Sequence, residues 1–377
     1  MKIVIAPDSF KESLDALAVA KAIETGFKRV FPHAQYDLIP MADGGEGTVQ
    51  SLVDATHGRI ERVSVTGPLG ECVRAFFGVS GDGKTAFIEM SAASGLHLVP
   101  VAQRNPLTTT SYGTGELIKA ALDQGAKHII LGLGGSATND AGAGMLQALG
   151  VRFLDAQGRS VAWGGAALAS LTQMDLSQLD ARLANVRIQV ACDVDNPLCG
   201  VRGASAVFGP QKGATPAQVT QLDVALAHFA SVVVQQVGRD IANIAGAGAA
   251  GGMGGGLMLL PHAQLQSGVQ IVAEAVRLAE RVRDADLVIT GEGRMDAQSI
   301  RGKTPIGVAR VAKQFDKPVI AIVGSLGDDY RCVYEHGVDA VFPIIRQTDA
   351  LPEVLQQAQS NLVSCAENVA RLFCLRF

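Results

Sequence analysis

Four short segments of the chain combine glycines with carboxylate or hydroxyl side chains, groups that commonly bind phosphates and hard metal ions. Each segment follows a predicted β-strand, and in open α/β sheets ligands bind beyond the carboxyl ends of the strands. Turn and helix-capping chemistry would explain any one of them alone. Four together favour a ligand site. The segments are 8–13 (DSFKES), 43–48 (DGGEGT), 134–140 (GGSATND) and 291–296 (GEGRMD).

The segment 134–140 is the best phosphate candidate in the sequence. Its glycines allow the backbone to approach a ligand, and a helix predicted to begin near Asn139 would direct free amides and a positive dipole end toward it. Asp140 complicates this interpretation, because a carboxylate beside a polyphosphate needs a cation between the two. A position beside magnesium and an ordinary first-turn position explain Asp140 equally well.

Asp193 is the most promising single carboxylate, because it directly follows the predicted strand 186–192. In that position it could orient or deprotonate a substrate hydroxyl, or hold magnesium. The alternative is a turn set up by Asn196 and the proline after it, which explains Asn196 better than Asp193.

Several cations lie in or beside these segments and could pair with an anionic substrate. Lys212, in the loop GPQKG, could approach a phosphate or be an ordinary solvated lysine. One charge-assisted hydrogen bond contributes about 1.5–3 kcal/mol, so a small anion needs at least one such partner. The other candidates are Lys11, Arg294 and Lys303.

Three familiar patterns lack their structural context. Residues 78–85 (GVSGDGKT) fit the P-loop formula, but a strand pattern follows where a helix is required, which predicts a hairpin turn. Residues 246–251 (GAGAAG) fit the dinucleotide-binding formula but follow a helical region. Ser136 lacks the second glycine of a nucleophile elbow, which excludes esterase chemistry of that type.

Composition narrows the class of protein. The 377 residues are 48% apolar and 18% charged, with 43 glycines, which is typical of an α/β protein of two or three domains. A formal charge of −4 without any Lys/Arg run longer than two argues against nucleic-acid binding. The six cysteines form no CxxC pair, so we expect reduced thiols.

The first apolar run is too short for a signal peptide, which predicts a cytoplasmic protein. The charge-free stretch between Asp240 and Glu274 is interpreted as a mobile or ligand-facing glycine loop and not as a membrane span.

The periodicity predicts two kinds of layer. Strand 2–6, a helix capped by Ser13 and strand 36–40 form a parallel βαβ unit. From about residue 60, three alternating strands with Gly/Pro and Gly/Asp turns predict antiparallel hairpins. Strands and helices then alternate, with helices expected at 139–149 and 269–281.

These layers predict a split domain. We expect a discontinuous parallel-sheet domain at residues 1–59 and 266–377, with a second domain inserted at residues 60–265.

The blocks described above resemble the type I glycerate kinase family. The resemblance spans nearly the whole chain, with the blocks in the same order. It implies ATP-dependent phosphorylation of D-glycerate with magnesium, with 2-phosphoglycerate as the product in the most similar members, during degradation of glyoxylate, glucarate or galactarate. It also implies an α/β fold: a flavodoxin-like domain with an inserted α/β domain that has a mixed sheet with hairpins, and an active-site cleft between them. The blocks are DSFKES (8–13), ADGGEGT (42–48), GGSATND (134–140), GPQKGA (209–214), GAGAAGGM (246–253) and TGEG (290–293), followed by Asp296, Gln298, Gly302 and Lys303.

Phosphoryl transfer depends mainly on positioning and on charge neutralisation, so this resemblance suggests a role for each candidate. Asp193 would align the glycerate hydroxyl, and Lys11 would help to hold the carboxylate. Homo-oligomerisation stays open. The remaining assignments are Asp8, Ser9, Ser13 and Arg294 for glycerate; Gly134, Gly135, Ser136, Thr138, Asn139 and Lys212 for the triphosphate; and Asp43, Glu46, Asp140 and Glu292 for Mg²⁺.

Two rival functions remain at this stage. A non-catalytic protein could bind a nucleotide or a sugar acid without producing ADP. The second rival function is that of a nicotinamide-dependent dehydrogenase, which the glycine pattern at 246–251 suggests.

Overall fold

The computed structural model describes residues 1–348 and 350–375. In this part of the chain the strands are β1 (Lys2–Ile5), β2 (Gln35–Leu38), β3 (Arg59–Thr66), β4 (Cys72–Val79), β5 (Thr85–Glu89), β6 (His128–Gly132), β7 (Arg152–Leu154), β8 (Gln173–Asp175), β9 (Arg187–Ala191), β10 (Ala263–Gln266), β11 (Leu287–Thr290), β12 (Arg294–Met295), β13 (Val319–Val323), β14 (Ser325–Leu326) and β15 (Ala340–Pro343).

The same residues form α-helices and several 3-10 helices of three to seven residues. The α-helices are α1 (Ala16–Lys28), α2 (Thr48–Ala55), α3 (Ser91–Ser94), α4 (Tyr112–Asp123), α5 (Ala143–Ala148), α6 (Ala204–Phe208), α7 (Pro216–Val237), α8 (Met253–Leu257), α9 (Gly268–Ala275), α10 (Leu278–Val282), α11 (Thr304–Lys313), α12 (Leu351–Gln356) and α13 (Ala358–Leu372).

The chain divides into two compact units. Unit 1 contains residues 1–43, residues 50–57 and the described residues from Ser267 onward, and unit 2 contains residues 44–49 and 58–266. The boundaries expected from the sequence, 59/60 and 265/266, lie within two residues of the changes at 57/58 and 266/267. Residues 44–49 belong to unit 2, although the sequence pattern groups them with the first domain.

Unit 1 is built on a five-stranded parallel sheet in the order β2-β1-β11-β13-β15. This is the flavodoxin-like order, so the predicted fold class is confirmed. The strand order reverses between β1 and β11, and in such sheets ligands bind beyond the strand ends at that point. The loops that follow these two strands carry Asp8 and Glu292.

Helices α1 and α13 pack together in the core of unit 1. Ile23 and Phe27 of α1 are fully buried with Leu362 of α13. The two backbones approach closely, because a Cβ at Gly26 would lie 2.5 Å from the carbonyl oxygen of Val363.

Two sequence expectations about helices of unit 1 are wrong. Asp15, not Ser13, caps α1, since its carboxylate accepts the Ala18 amide at 2.7 Å. The single helix expected at 269–281 is two helices, α9 and α10, because Arg277 between them has a φ of 55° and interrupts the right-handed backbone.

Unit 2 contains a six-stranded mixed sheet in the order β10-β9-β6-β5-β4-β3. Its first four strands are parallel, and β3, β4 and β5 form antiparallel hairpins, as predicted. The P-loop-like segment is the turn of the β4–β5 hairpin, closed by a bond from the Ser80 amide to the Thr85 carbonyl. The exclusion of a P-loop is therefore confirmed.

The residues of the glycine-rich segment 246–257 are all buried in unit 2, so the expectation of a mobile or ligand-facing loop is wrong. A Cβ at Gly251, which has a φ of 68°, would lie 1.9 Å from the Thr138 carbonyl oxygen. The Gly251 carbonyl in turn accepts the Ala141 amide at 3.0 Å. Glycine is needed here because two backbones touch, and the dehydrogenase alternative loses the pattern that suggested it.

Helix α7 is long and apolar enough to span a membrane by length and composition alone. Packing within unit 2 explains its apolar face. Leu222, Leu226 and Phe229 are buried, and the Phe229 ring lies 5.9 Å from that of Phe153.

Candidate active-site residues

Asp8 lies at the switch point of the unit 1 sheet, beyond the end of β1. Its carboxylate accepts bonds from the Ser9 amide at 2.7 Å and from Thr304 Oγ1 at 2.6 Å. Burial and the charge of Asp43 raise the pKa of Asp8 to about 6, although the bonds from Thr304 and Ser9 oppose the increase. A carboxyl group that titrates near neutrality in a strand-end loop is a functional-site candidate.

Glu292 occupies the corresponding position beyond β11. Ser299 donates to one carboxylate oxygen at 2.5 Å, and Lys303 Nζ lies 3.4 Å from the other. Burial is the main cause that raises the pKa of Glu292 to about 7, and the charge of Asp8 adds to it. The half-buried Asp8 and the buried Glu292 repel each other when both are ionised, so a cation near them would be stabilised.

The predicted segments 8–13 and 291–296 come together in unit 1. A Cβ at Gly293 would lie 3.4 Å from the Lys11 amide nitrogen and from the Phe10 Cα, so the two loops are in contact. Lys11 and Arg294 are exposed, and Arg294 Nε is 3.5 Å from Asp296. Ser13 donates to the Leu355 carbonyl at 2.9 Å, which engages its hydroxyl in a structural bond.

Lys212 is the most unusual residue of unit 2, since a lysine is rarely buried and its side chain is 1% exposed. Its ammonium donates to Ser136 Oγ at 2.7 Å and to the Thr138 carbonyl at 2.6 Å. Burial lowers the pKa of Lys212 to about 7, while the charge of Asp140 opposes the decrease. The interpretation of Lys212 as an ordinary solvated lysine is therefore wrong.

In the loop 134–140, which contacts Lys212, the glycines are exposed and the larger side chains are buried. Gly134 and Gly135 are exposed, whereas Ser136, Thr138 and Asn139 are buried. Among the described residues, Thr138 Oγ1 and Asn139 Oδ1 have no hydrogen-bond partner, although Asn139 Nδ2 donates to Ser205. Buried polar atoms are seldom left unpaired. Of these two, only the Thr138 hydroxyl can donate to an anion, because Asn139 Oδ1 is an acceptor.

Asp140 serves as an anchor for the same loop. Its carboxylate accepts four bonds, from the amide and hydroxyl of Ser111 and from the amides of Gly142 and Gly144, at 2.7–3.3 Å. Burial raises the pKa of Asp140, and these bonds oppose the increase. The helix expected from Asn139 begins only at Ala143, because Ala141 and Gly142 have positive φ. The expected helix start is therefore wrong, and the amides of Gly142 and Gly144 are already bonded to Asp140, whereas the assignment of residues 134–140 to phosphate stays a prediction.

Segment 44–49 lies beside segment 134–140 in unit 2. A Cβ at Gly134 would lie 3.6 Å from the Cα of Gly45, and one at Gly132 would lie 2.6 Å from the Gly44 carbonyl oxygen. The buried Glu89 accepts the Val49 amide at 2.9 Å and holds the start of α2. Burial raises the pKa of Glu89. Glu46 is exposed on this loop.

Asp193 is exposed beyond the end of β9, as expected from the sequence. Its neighbour Asp195 forms an exposed ion pair with Arg202 at 2.8 Å. Asn196 donates to the Arg202 carbonyl at 2.8 Å, which gives its side chain a structural role.

Residues 1–348 and 350–375 contain no group of three or more His, Cys, Asp or Glu side chains that could hold a metal ion alone. Magnesium in phosphoryl-transfer sites is usually held by one or two carboxylates together with substrate phosphates. Glu292 and Asp43, which both interact electrostatically with Asp8, are carboxylates that could take this role. The metal assignments of Asp43, Glu46, Asp140 and Glu292 stay predictions.

Sequence reasoning missed the residues that support these loops. Thr304 and Ser299 bind the two carboxylates of unit 1, and Ser111 and Glu89 anchor the loops of unit 2. The sequence held a partial signal for Thr304, which begins a predicted helix before a proline, a common N-terminal pattern.

Comparisons with known proteins give one consistent result. A sequence model described as the glycerate kinase family matches residues 3–374. A glycerate kinase of Haemophilus influenzae is 66% identical over the full length of both chains. A glycerate 2-kinase of Escherichia coli is 56% identical over 98% of this chain and 97% of its own. A crystal structure of a proposed glycerate kinase 2 from Salmonella typhimurium LT2 has a TM-score of 0.92 and 57% identity, covering 99% of this chain and 98% of that one.

Proposed function

This chain belongs to the glycerate kinase family, and on that premise we propose that it transfers the γ-phosphoryl group of ATP to the 2-hydroxyl of D-glycerate. The bond between the γ-phosphorus and the bridging oxygen breaks, and ADP leaves. A bond from phosphorus to the glycerate oxygen forms, and the hydroxyl proton passes to a base. The product is 2-phosphoglycerate.

The observation that carries the proposal is the buried ammonium of Lys212 beneath the exposed glycine loop of unit 2. Burial lowers the pKa of Lys212 to about 7, and a bound polyphosphate would favour the protonated form because little water screens the interaction. The Thr138 hydroxyl, which has no partner among the described residues, is a further group that can donate there. We assign the triphosphate to Gly134, Gly135, Ser136, Thr138, Asn139 and Lys212.

In unit 1 we assign the glycerate carboxylate to Lys11, Ser9 and Arg294, since the exposed Lys11 and Arg294 lie on touching loops. Asp8 would orient the substrate hydroxyls. Ser13 is the weakest of these assignments, because its hydroxyl is bound to Leu355.

Magnesium would supply charge neutralisation of the transferred phosphoryl group when it is bound with ATP. Glu292 and Asp43 are the residues that we assign to it in unit 1. The charge of Asp43 raises the pKa of Asp8 and the charge of Asp8 raises the pKa of Glu292, so a cation near these carboxylates would relieve the repulsion. Glu46 is a further candidate in unit 2. The contacts of Asp140 favour a structural role for it.

Asp193 is assigned as the group that aligns and deprotonates the glycerate hydroxyl. Its position beyond a buried parallel strand supports this role. We place the reaction in the cytoplasm, in the degradation of glyoxylate, glucarate or galactarate.

One assay tests the proposal against a binding protein without catalytic activity. The purified protein is mixed with D-glycerate, ATP and Mg²⁺, ADP is detected by a coupled reaction, and the product is examined by phosphorus NMR. We expect ADP only when D-glycerate is present, and a phosphorus doublet from coupling to the single proton at C2. A triplet, from the two protons at C3, would move the reaction to the 3-hydroxyl. Nucleotide binding without ADP would refute the kinase assignment.

A further inference from the structure

Unit 2 carries a pair of aromatic rings, the exposed Trp163 and the half-buried Tyr112, that the roles assigned above do not use. Trp163, the only tryptophan of the chain, is 42% exposed. Its ring centroid lies 5.1 Å from that of Tyr112, with an angle of 46° between the planes. Tryptophan and tyrosine rings that are apolar on one side and accessible on the other are favoured where a ligand or partner covers them.

The chain on the Tyr112 side is tied to the proposed phosphate loop. Ser111, the residue before Tyr112, binds the Asp140 carboxylate through its amide and its hydroxyl. Two residues earlier, Thr109 Oγ1 donates to the Ala137 carbonyl at 2.9 Å. Tyr112 is therefore held at the edge of the loop 134–140.

The chain on the Trp163 side touches the same loop. A Cβ at Gly165 would lie 2.4 Å from the Asn139 carbonyl oxygen, so this backbone is in direct contact with Asn139. Gly164 has a φ of 99° and packs in the same way on Leu107 and Thr108. Trp163 is two residues from Gly165, which is at most roughly 7 Å of chain.

These contacts place the exposed Trp163 ring beside a loop whose Gly134 and Gly135 are exposed and whose Ser136 hydroxyl and Thr138 carbonyl accept bonds from the Lys212 ammonium. A ligand that has an aromatic part and an anionic part matches this combination. A nucleoside triphosphate has both.

We propose that Trp163, supported by Tyr112, is the surface on which the purine base of the nucleotide stacks while its phosphates bind at residues 134–140. This inference rests on the proposed function and adds to it the position of the base. Stacking uses the ring face that every base has, so it tolerates different bases. The site would therefore accept GTP in place of ATP with a modest loss.

Because Trp163 is the only tryptophan, its fluorescence reports on this surface directly. We expect ADP to change the emission and to show saturation, whereas tripolyphosphate, which has the phosphates without a base, leaves it nearly unchanged. An equal response to both probes, or no response to ADP at concentrations that inhibit the reaction, would overturn the proposal.

Kinetics of three variants provide the second test. Trp163→Ala should raise KM for ATP by about tenfold or more, with KM for D-glycerate unchanged, and Trp163→Phe should restore most of the ATP affinity. Phe76→Ala, which changes another exposed aromatic of unit 2, should leave both KM values unchanged. A Trp163→Ala enzyme with wild-type KM for ATP would refute the stacking surface while the kinase assignment stands. A wild-type protein that forms no ADP would refute the kinase assignment, and the fluorescence titration alone would then decide whether the base binds at Trp163.

Discussion

The Lys212 ammonium lies 2.7 Å from the hydroxyl of Ser136, a residue 76 positions earlier in the chain. Its second bond goes to the Thr138 carbonyl, so both acceptors are neutral oxygens of one loop. Burying a charge without an equal opposite charge in contact lowers the stability of a protein. A loop that retains such a cation beneath exposed glycines is suited to hold an anion.

Replacing Lys212 by methionine should therefore separate activity from stability. We expect kcat/KM for ATP to fall by about 100-fold, which is the upper range for one charge-assisted hydrogen bond. The melting temperature should change little, because removing the buried charge is offset by leaving the Ser136 hydroxyl and the Thr138 carbonyl without this donor. Steady-state kinetics and thermal unfolding measure the two effects, with the exposed Lys84→Met as the matched control. A variant that loses stability but keeps its KM for ATP would assign Lys212 a structural role only.

Asp193→Asn should lower kcat by about 100-fold or more if Asp193 acts on the glycerate hydroxyl, a typical contribution of a general base. Asp195→Asn is the matched control, because Asp195 is exposed two residues away and its ion pair with Arg202 contributes little. Turnover numbers at saturating substrates provide the measurement. Near wild-type turnover for Asp193→Asn would remove this residue from the reaction.

Thr304→Val should shift the pH profile of kcat/KM. Thr304 Oγ1 donates to Asp8 and lowers its pKa, which is about 6, so losing the bond should raise that pKa further. If ionised Asp8 is required, the acidic limb moves to higher pH by up to about one unit, because one bond contributes about 1 kcal/mol. Thr25→Val, which removes a hydroxyl bond on the exposed surface of α1, should leave the limb in place. An unmoved limb in Thr304→Val would mean that Asp8 does not control the profile.

Glu292→Gln should stabilise the protein more at pH 8 than at pH 5. The pKa of Glu292 is raised from 4.5 to about 7, so between these values the folded wild type binds more protons than the unfolded chain. Wild-type stability therefore decreases as the pH rises through this window, and a glutamine does not titrate. At about 1.4 kcal/mol per pKa unit, the difference is on the order of 3 kcal/mol.

Urea unfolding at both pH values, with a chelator present, measures the free energy of unfolding of each protein. Subtracting the effect of the substitution at pH 5 from its effect at pH 8 removes any part of the lost Lys303 contact that does not depend on pH. The exposed Glu335→Gln should show no such pH dependence. An equal effect at pH 5 and pH 8 would contradict the prediction.

Asp140→Asn should lower the free energy of unfolding by about 2 kcal/mol. All four bonds to its carboxylate come from donors, so an amide nitrogen in place of one oxygen would face a donor and leave both unpaired. Asp240→Asn is the control, since Asp240 also accepts a backbone amide but is exposed. Wild-type stability together with a higher Mg²⁺ requirement would instead favour the metal assignment of Asp140.

The sequence alone predicted most strands of the two large sheets and the order of the loops, but not the short strands β7, β8, β10, β12 and β14. β11 and β13 are where their buried apolar runs predict them, because a fully buried parallel strand leaves an uninterrupted apolar pattern. The alternation of apolar and polar residues along β3, β4 and β5 predicts the change from parallel units to antiparallel hairpins near residue 60. The glycine and carboxylate segments were found because strand ends are visible in the pattern.

Only the tertiary structure decided which of these residues are buried and what they contact. Lys212 and Ser136 are 76 positions apart, and Thr304 and Asp8 are 296 apart, so no local pattern connects them. The late start of α5 depends on the Asp140 carboxylate and its bonds to Ser111, which is 29 positions away. Local propensity sets strands and turns, whereas burial and pKa depend on atoms that the folded chain brings together from distant positions.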